Sequence, residues 1–458
     1  MSATETCSSM DRTKTEMMKP PLPKTEMTPL FDEPVTSKNW YKCVNWTQSI
    51  LLISTPLIAL YGMLTTELTR KTMIWMIAYY FITGLGITAG YHRLWAHRAY
   101  RGTFFLRWIF SLAGSGAVEG SIYWWSRGHR AHHRWTDTDR DPYSANRGFF
   151  FSHIGWMLVN RPKTRIGFAD VADLKADPVV AFQHKYYPYF ALGMGFLFPT
   201  LVAGLGWGDF RGGFFYSAVA RLVFVHHATF CVNSLAHYLG EASFDDHHSP
   251  RDHWITALAT LGEGYHNFHH QFPQDYRNAI EYTQYDPTKW LIIALSWLGL
   301  SYELKEFPSN EVSKGQIFMK EKKIREAKSK LFYGVPLKDL PVYSWEEFQS
   351  LVLNENKKWI LVEGVLYDIK NFMKEHPGGA KYLSTAIGKD MTTSFNGGIY
   401  NHSNGARNLL TQFRVGVLLN GMQVMTEADA AAANVEAHAY DSTLEYDTKV
   451  ANFNKKNI

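Results

Sequence analysis

Apolar residues run almost unbroken through four stretches, about Ser49 to Thr66, Met73 to Gly90, Tyr187 to Trp207 and Phe214 to Ala236. Each is close to the roughly 20 residues that a helix needs to cross a bilayer. The connections Glu67 to Thr72 and Gly208 to Gly213 are short, so the spans pair into two hairpins. Lys- and Arg-rich segments lie before the first span, between the second and third, and after the fourth. The positive-inside rule assigns these segments, and with them both chain termini, to the cytosol. Two further apolar runs, Phe104 to Val118 and Trp290 to Leu300, are short for a span and read as buried or interfacial helices. Residues 1–40 are rich in Thr, Lys, Pro and Met, which predicts a disordered tail and no cleavable signal peptide. Beyond Leu304 the chain turns basic and helix-like (KEKKIREAKSK), giving a linker over 308–340. A compact region follows over 341–420, in which Trp359 to Ile369 reads as paired strands, and residues 421–458 form a second tail.

Composition narrows this picture only at one point. The 458 residues are 46% hydrophobic and 19% charged, which suits two or three domains and fits a soluble or a short-spanned membrane protein equally. A net charge of +5 is too mild to indicate nucleic acid. Cys7, Cys43 and Cys231 are far apart and form neither a disulfide framework nor a CxxC motif, so the reactive face is expected on the cytosolic side. The anomaly is histidine, with 19 residues.

Most of these histidines are ordered. His129-Arg-Ala-His132-His133 and His266-Asn-Phe-His269-His270 place imidazoles at i, i+3 and i+4, one face of a helix, as a borderline metal such as iron requires. His92 and His97 are five apart, which on a straight helix separates them by about 140°. The second span must therefore end or unwind near His92. At the end of the fourth span Asn233 and His237 are spaced i, i+4, adding an imidazole and an amide able to hold a metal-bound water. These groups can share one centre only if Phe104 to Val118 lies in the interface; a crossing there would put them on opposite sides. A lone histidine is usually a packed or solvated side chain, so His153, His184, His226, His227, His247, His248 and His253 are assigned no ligand role. Glu263 and Asp141 are candidate carboxylates for orienting imidazoles, with a solvated or helix-capping role equally open.

In the C-terminal region the strands lead into Phe372-Met-Lys-Glu-His376-Pro377-Gly378-Gly379. Glycines there let the backbone approach a haem edge, and proline fixes the turn carrying His376. The second axial ligand is then His402, the other histidine within 341–420.

The strings GITAGYHRLWAHRAY, HRAHH, FFFSHIGWML, NSLAH and GEGYHNFHH resemble the stearoyl-CoA (acyl-CoA delta-9) desaturase family over about Trp40 to Phe307. TDTDRDPYSANRG and RDHWITALATLGEGYHNFHHQFPQDYRNAI are closest to its fungal branch, and Pro341 to Leu419 resembles cytochrome b5. The resemblance implies a mainly α, four-span membrane desaturase domain over 41–307 with a cytosolic helical cap, followed by a small α+β haem domain. It implies two iron ions held by His92, His97, His129, His132, His133, His237, His266, His269 and His270, with a water on Asn233. Haem b would sit between His376 and His402. One departure is Gly128, where animal members carry an acidic residue that contacts CoA.

The implied reaction introduces a cis double bond into a saturated fatty acyl-CoA, palmitoyl or stearoyl, with O2 and with electrons from the fused haem domain. An NAD(P)H-dependent cytochrome b5 reductase would recharge the haem, meeting acidic residues such as Glu346, Glu347 and Glu375. The resemblance places the protein in the endoplasmic reticulum membrane. For substrate, Arg127, Arg161 and Lys163 are expected at the CoA phosphates. Trp125 and Trp156 are candidates for walling an acyl tunnel, and Tyr79 or Tyr80, some 18 to 20 Å deeper than His92 by helical rise, for closing it. Plain packing is the alternative for all four aromatics. A related hydroxylase, a desaturase of other regioselectivity and a histidine-rich metal transporter are the rival readings. The last predicts flexible histidine repeats, not helix-spaced triads.

Overall fold

The computed structural model describes residues 27–419, which divide into two compact units at Lys323/Ile324. The expectations for residues 1–26 and 420–458 lie outside the described residues.

In the first unit four helices are long and apolar enough to cross a membrane: Trp46–Thr65, Arg70–Ala96, Tyr187–Trp207 and Phe210–Tyr238. The first begins where the Asn45 side chain accepts from Gln48 N, and the second where Thr69 accepts from Thr72 N, each cap satisfying an N–H that the helix leaves open. Along the first span the buried residues include Ser49, Thr55, Ala59 and Gly62, whereas Ile50, Ile53, Leu57, Leu60 and Leu64 are exposed. Small residues inward and large apolar ones outward is the arrangement that packs helices closely and presents hydrocarbon to lipid. Arg70, Lys71 and Arg211 stand beside the two short connections, so that face is not free of positive charge.

The second span does unwind around His92, without ending there. It continues to Ala96, and its last eleven residues, Gly86–Ala96, form a π-helix that is buried throughout. His97 N donates to His92 O at 3.0 Å, an i→i+5 bond. The wider turn brings residues five apart onto one face, which a 3.6-residue turn cannot do. This coil passes closely over the short helix Phe104–Ser115, where a Cβ on Gly86 would strike the backbone of Gly114 and Ala113.

The fourth span carries a fully buried Arg221 whose guanidinium donates to Gly116 O (2.7 Å), Gly195 O (3.0 Å) and Thr83 Oγ1 (3.3 Å). A single side chain thus ties the second and third spans and the end of the Phe104–Ser115 helix together, its charge satisfied by two carbonyls and a hydroxyl. The helix Ile122–Trp135, N-capped by Ser121, carries the middle histidine motif, and the short helix His266–Gln271 carries the last.

The second unit contains a four-stranded sheet in the order Val342–Tyr343, Arg414–Leu418, Val365–Asp368, Trp359–Val362, with the first pair parallel and the others antiparallel. Its hairpin is covered on both faces, by Ile360, Val362, Val365 and Tyr367 on one side and Trp359, Leu361 and Leu366 on the other. That explains the unbroken apolar run Trp359–Val362. Ser344 and Glu347 form a capping box at the start of Trp345–Asn354, so the Glu347 carboxylate is engaged in holding that helix.

Candidate metal centre

Nine histidines converge as two groups in the first unit: His92, His97, His129, His133 and His269 in one, His132, His237, His266 and His270 in the other. In each group the candidate ligand nitrogens lie within 4.8 Å of one another. Each HxxHH motif divides its imidazoles between the groups, because neighbours on a helix face fan outward instead of pointing at one spot. In the first group Nε2 atoms pair at 2.8 Å (His97 with His129) and 3.0 Å (His92 with His269, and His269 with His133). In the second the pairs are at 3.1 Å (His266 with His270), 3.2 Å (His237 with His266) and 3.3 Å (His132 with His270).

These separations fit metal ions. Two ligand nitrogens about 2.1 Å from one ion and at right angles lie about 3 Å apart. The outer ring nitrogens decide the tautomers. His132 Nδ1 donates to Asp141 Oδ1 at 2.9 Å, and the Glu263 carboxylate lies 2.9 Å from His92 Nδ1. His237 Nδ1 faces Ser249 Oγ at 2.6 Å, and that hydroxyl donates onward to Asp137. With Nδ1 protonated, each Nε2 presents a lone pair to its neighbours, which is unfavourable without a cation between them. Burial, and then the neighbouring imidazoles, hold His97, His129, His133, His266, His269 and His270 well below the ordinary histidine range, so they are neutral near neutral pH, the form a metal ion binds. Burial raises the Glu263 carboxyl, but His92 and Arg93 outweigh it and hold the group down to about 2. Asn233 ends the regular part of the fourth span and lies on the wall of the adjoining cavity.

That cavity, about 590 Å³, is lined by His92 and His129 and by Arg127, Arg161, Lys163, Trp125, Trp156 and Tyr80. Tyr79 is not among its lining: it is buried, stacks on Trp75 and donates to Met194 O, because one residue along a helix turns the side chain by about 100°. Arg161 is also more committed than expected, since its guanidinium donates to the carbonyls of Asp139, Asp141, Pro142 and Arg165. Gly128 faces open space on the same wall.

Residues 72–298 match the family model "Fatty acid desaturase", and residues 344–419 match "Cytochrome b5-like Heme/Steroid binding domain". The chain is 49% identical over 429 residues to the probable acyl-CoA desaturase of Schizosaccharomyces pombe, covering 93% of this chain and 89% of that protein. It belongs to the fatty acid desaturase family. Acyl-CoA desaturase 1 of Saccharomyces cerevisiae is 44% identical over 391 residues (85% of this chain, 76% of that one). Human stearoyl-CoA desaturase is 42% identical over 268 residues (57% and 74%).

The haem domain of this desaturase sets His376 and His402 ring to ring, with centroids 6.4 Å apart. Two iron–nitrogen bonds of about 2 Å plus about 1 Å from each nitrogen to its ring centre span about the same distance, so the pair fits bis-histidine haem ligation. His402 Nδ1 donates to Phe395 O at 3.0 Å, leaving Nε2 for the iron. A Cβ on Gly378 would come within 2.8 Å of the His376 ring, which accounts for the first glycine of the motif.

Sequence reasoning overlooked several parts of the desaturase centre. Arg93, fully buried beside His92, forms a bidentate pair with Asp286 at 3.0 and 3.1 Å and a further bond to Glu263 at 2.9 Å, locking the last motif to the second span. Asp286 carries only the signature of a helix cap, Asp-Pro, and does cap Lys289 N. Ser249, Asp137 and Tyr143, whose hydroxyl lies 3.2 Å from His129 Nδ1, carry no signal in sequence. The histidines assigned no ligand role all have other partners: His226 with Ala117 O, His227 with His153, His153 with Ser234, His184 with Ser121, His247 with Asp245, His248 with Asp137 and His253 with Thr256.

Proposed function

We propose that this acyl-CoA desaturase introduces a cis double bond at the C9 position of palmitoyl- or stearoyl-CoA through two irons held by the nine histidines and Asn233. The balance is a saturated CH2–CH2 pair plus O2, two electrons and two protons giving CH=CH and two waters. The two histidine groups would hold iron, which would supply the redox chemistry needed at a carbon that has no acidic proton, and His376 and His402 would hold a haem able to supply single electrons. The chain's own task is position. Glu263, Asp141 and Ser249 hold the imidazoles in one tautomer and orientation, and Trp125, stacked on His129 at 4.9 Å, walls the cavity beside them.

The observation that carries the reading is the composition of the cavity wall. Cations at Arg127 and Lys163, histidines of the first group, and apolar residues such as Ile87, Val225 and Leu261 line one space. That combination of chemistry matches a phosphate-bearing headgroup, a reacting carbon and an alkyl chain. Both termini on the cytosolic side of the endoplasmic reticulum membrane, and an NAD(P)H-dependent cytochrome b5 reductase as partner, complete the proposal; the basic segments flanking the span pairs and the domain's haem ligands support them. Expression in cells lacking their own desaturase, followed by mass spectrometry of the fatty acids, tests it. Monounsaturated C16 or C18 acids with the bond at C9 are expected; hydroxy acids without alkene would overturn it.

A further inference from the structure

One half-buried carboxyl in the cavity wall has no part in the reaction above. Glu119 lies just beyond the Phe104–Ser115 helix and lines the cavity beside Tyr80, Ile87, Val225 and Thr229. Its Oε1 accepts from Thr229 Oγ1 at 2.8 Å and its Oε2 from Trp125 Nε1 at 3.2 Å. Among the described residues no Lys or Arg pairs with it. The titratable groups around it are Tyr80 and Tyr91 of the second span and Tyr187 of the third, with His226 of the fourth and His92, His129, Glu263 and Arg127 on the same cavity wall. Tyr187 accepts from Gly120 N at 2.8 Å, His226 donates to Ala117 O at 2.9 Å, and Arg221 is committed to Gly116 O, so each is held by the backbone around Glu119 and none bonds its carboxylate. Burial, opposed by the two hydrogen bonds, pushes the carboxyl up to about 7. An alkyl chain that displaces water from the cavity removes solvation from the charged form and leaves the neutral form untouched.

We propose that Glu119 is a positioning residue that couples entry of the acyl chain to uptake of one proton, the loaded cavity holding it as the neutral acid between Trp125 and Thr229. The proton is taken from solvent and returned when product leaves, and no other bond changes. As an acid, its own hydroxyl donates to Thr229 Oγ1, which then accepts. Below about pH 7 the free enzyme already carries the proton and binding is unaffected; above it, binding must draw one in, and affinity falls by up to tenfold per pH unit. This inference rests on the cavity being the acyl site.

The test is binding of stearoyl-CoA to the full-length protein by calorimetry at about pH 6, 7 and 8, in buffers of different ionisation enthalpy, for wild type and Glu119→Gln. Wild type is expected to take up about half a proton near pH 7 and close to one at pH 8, with affinity about tenfold lower at pH 8 than at pH 6. Glu119→Gln, which keeps the acceptor for Trp125 and the same size, should bind with that component of proton uptake removed and with a flatter pH profile. Protonation of the CoA phosphates is common to both proteins and cancels in the difference. Equal proton uptake in the two proteins overturns the inference, as does binding by the wild type with no uptake at pH 8, a result that stands even if the variant does not fold. Failure of the wild type to bind at any pH overturns the cavity reading instead.

Discussion

At the scale of single residues, the His269 ring joins two motifs, its Nε2 facing both His92 and His133 at 3.0 Å. Replacing it with Ala removes a ligand and leaves the haem domain untouched. Desaturation is expected to fall by about 100-fold or more, because losing a ligand costs at least as much as losing its orienting partner. Iron content should fall while the haem absorption spectrum stays as in wild type. Glu263→Gln is milder in kind: it keeps a polar group at hydrogen-bond distance from Arg93 and Asn278 but no longer presents a carboxylate to His92 Nδ1. A loss of about 10- to 100-fold in iron affinity or turnover is expected from such an orienting partner. Metal analysis beside a turnover assay reads both. His402→Ala should do the converse, abolishing the bis-histidine haem spectrum while the iron content of the first unit is retained.

Among the elements, the π-helix Gly86–Ala96 and the helix Phe104–Ser115 are pressed together at Gly86, where any side chain meets backbone atoms that cannot rotate away. Gly86→Val is expected to cost about 1–3 kcal/mol through overpacking and to lower iron occupancy, since the same coil carries His92 toward its partners. Gly128 is the control. It lies inside the helix Ile122–Trp135 with nothing near its added Cβ, so Gly128→Ala should stabilise by about 0.5–1 kcal/mol through helix propensity. Thermal unfolding of the two variants in the same detergent checks the opposite signs.

For the whole molecule, tethering matters under the proposed function, in which the cytochrome b5-like domain delivers electrons singly to the histidine centre. A covalent tether that spans the two sites holds a partner at an effective concentration of up to about millimolar. A chain ended at residue 340 should therefore keep its iron but lose most of its turnover. Free haem domain should restore turnover only as its concentration approaches that range. Turnover against added domain measures it, and full activity at micromolar donor would show that the fusion confers no kinetic advantage.

Most of the membrane architecture was legible in the chain, because lipid imposes a length and an apolarity that local sequence must display: the third span, Tyr187–Trp207, has the bounds its hydropathy predicts. The histidine spacings likewise pointed to imidazoles grouped on helix faces, since residues at i, i+3 and i+4 share a face whatever the tertiary context. The five-residue step from His92 to His97 pointed to a break in the regular helix, but not to its form. The π-turn exists because the second span is packed against Phe104–Ser115 and cannot end in solvent. How the nine imidazoles divide into five and four, the ties through Arg93, Asp286 and Ser249, and the turning of Tyr80 but not Tyr79 toward the cavity were decided by tertiary structure alone. Each depends on which surfaces meet across more than 100 residues of chain, as Arg93 meets Asp286, and local spacing holds no record of that.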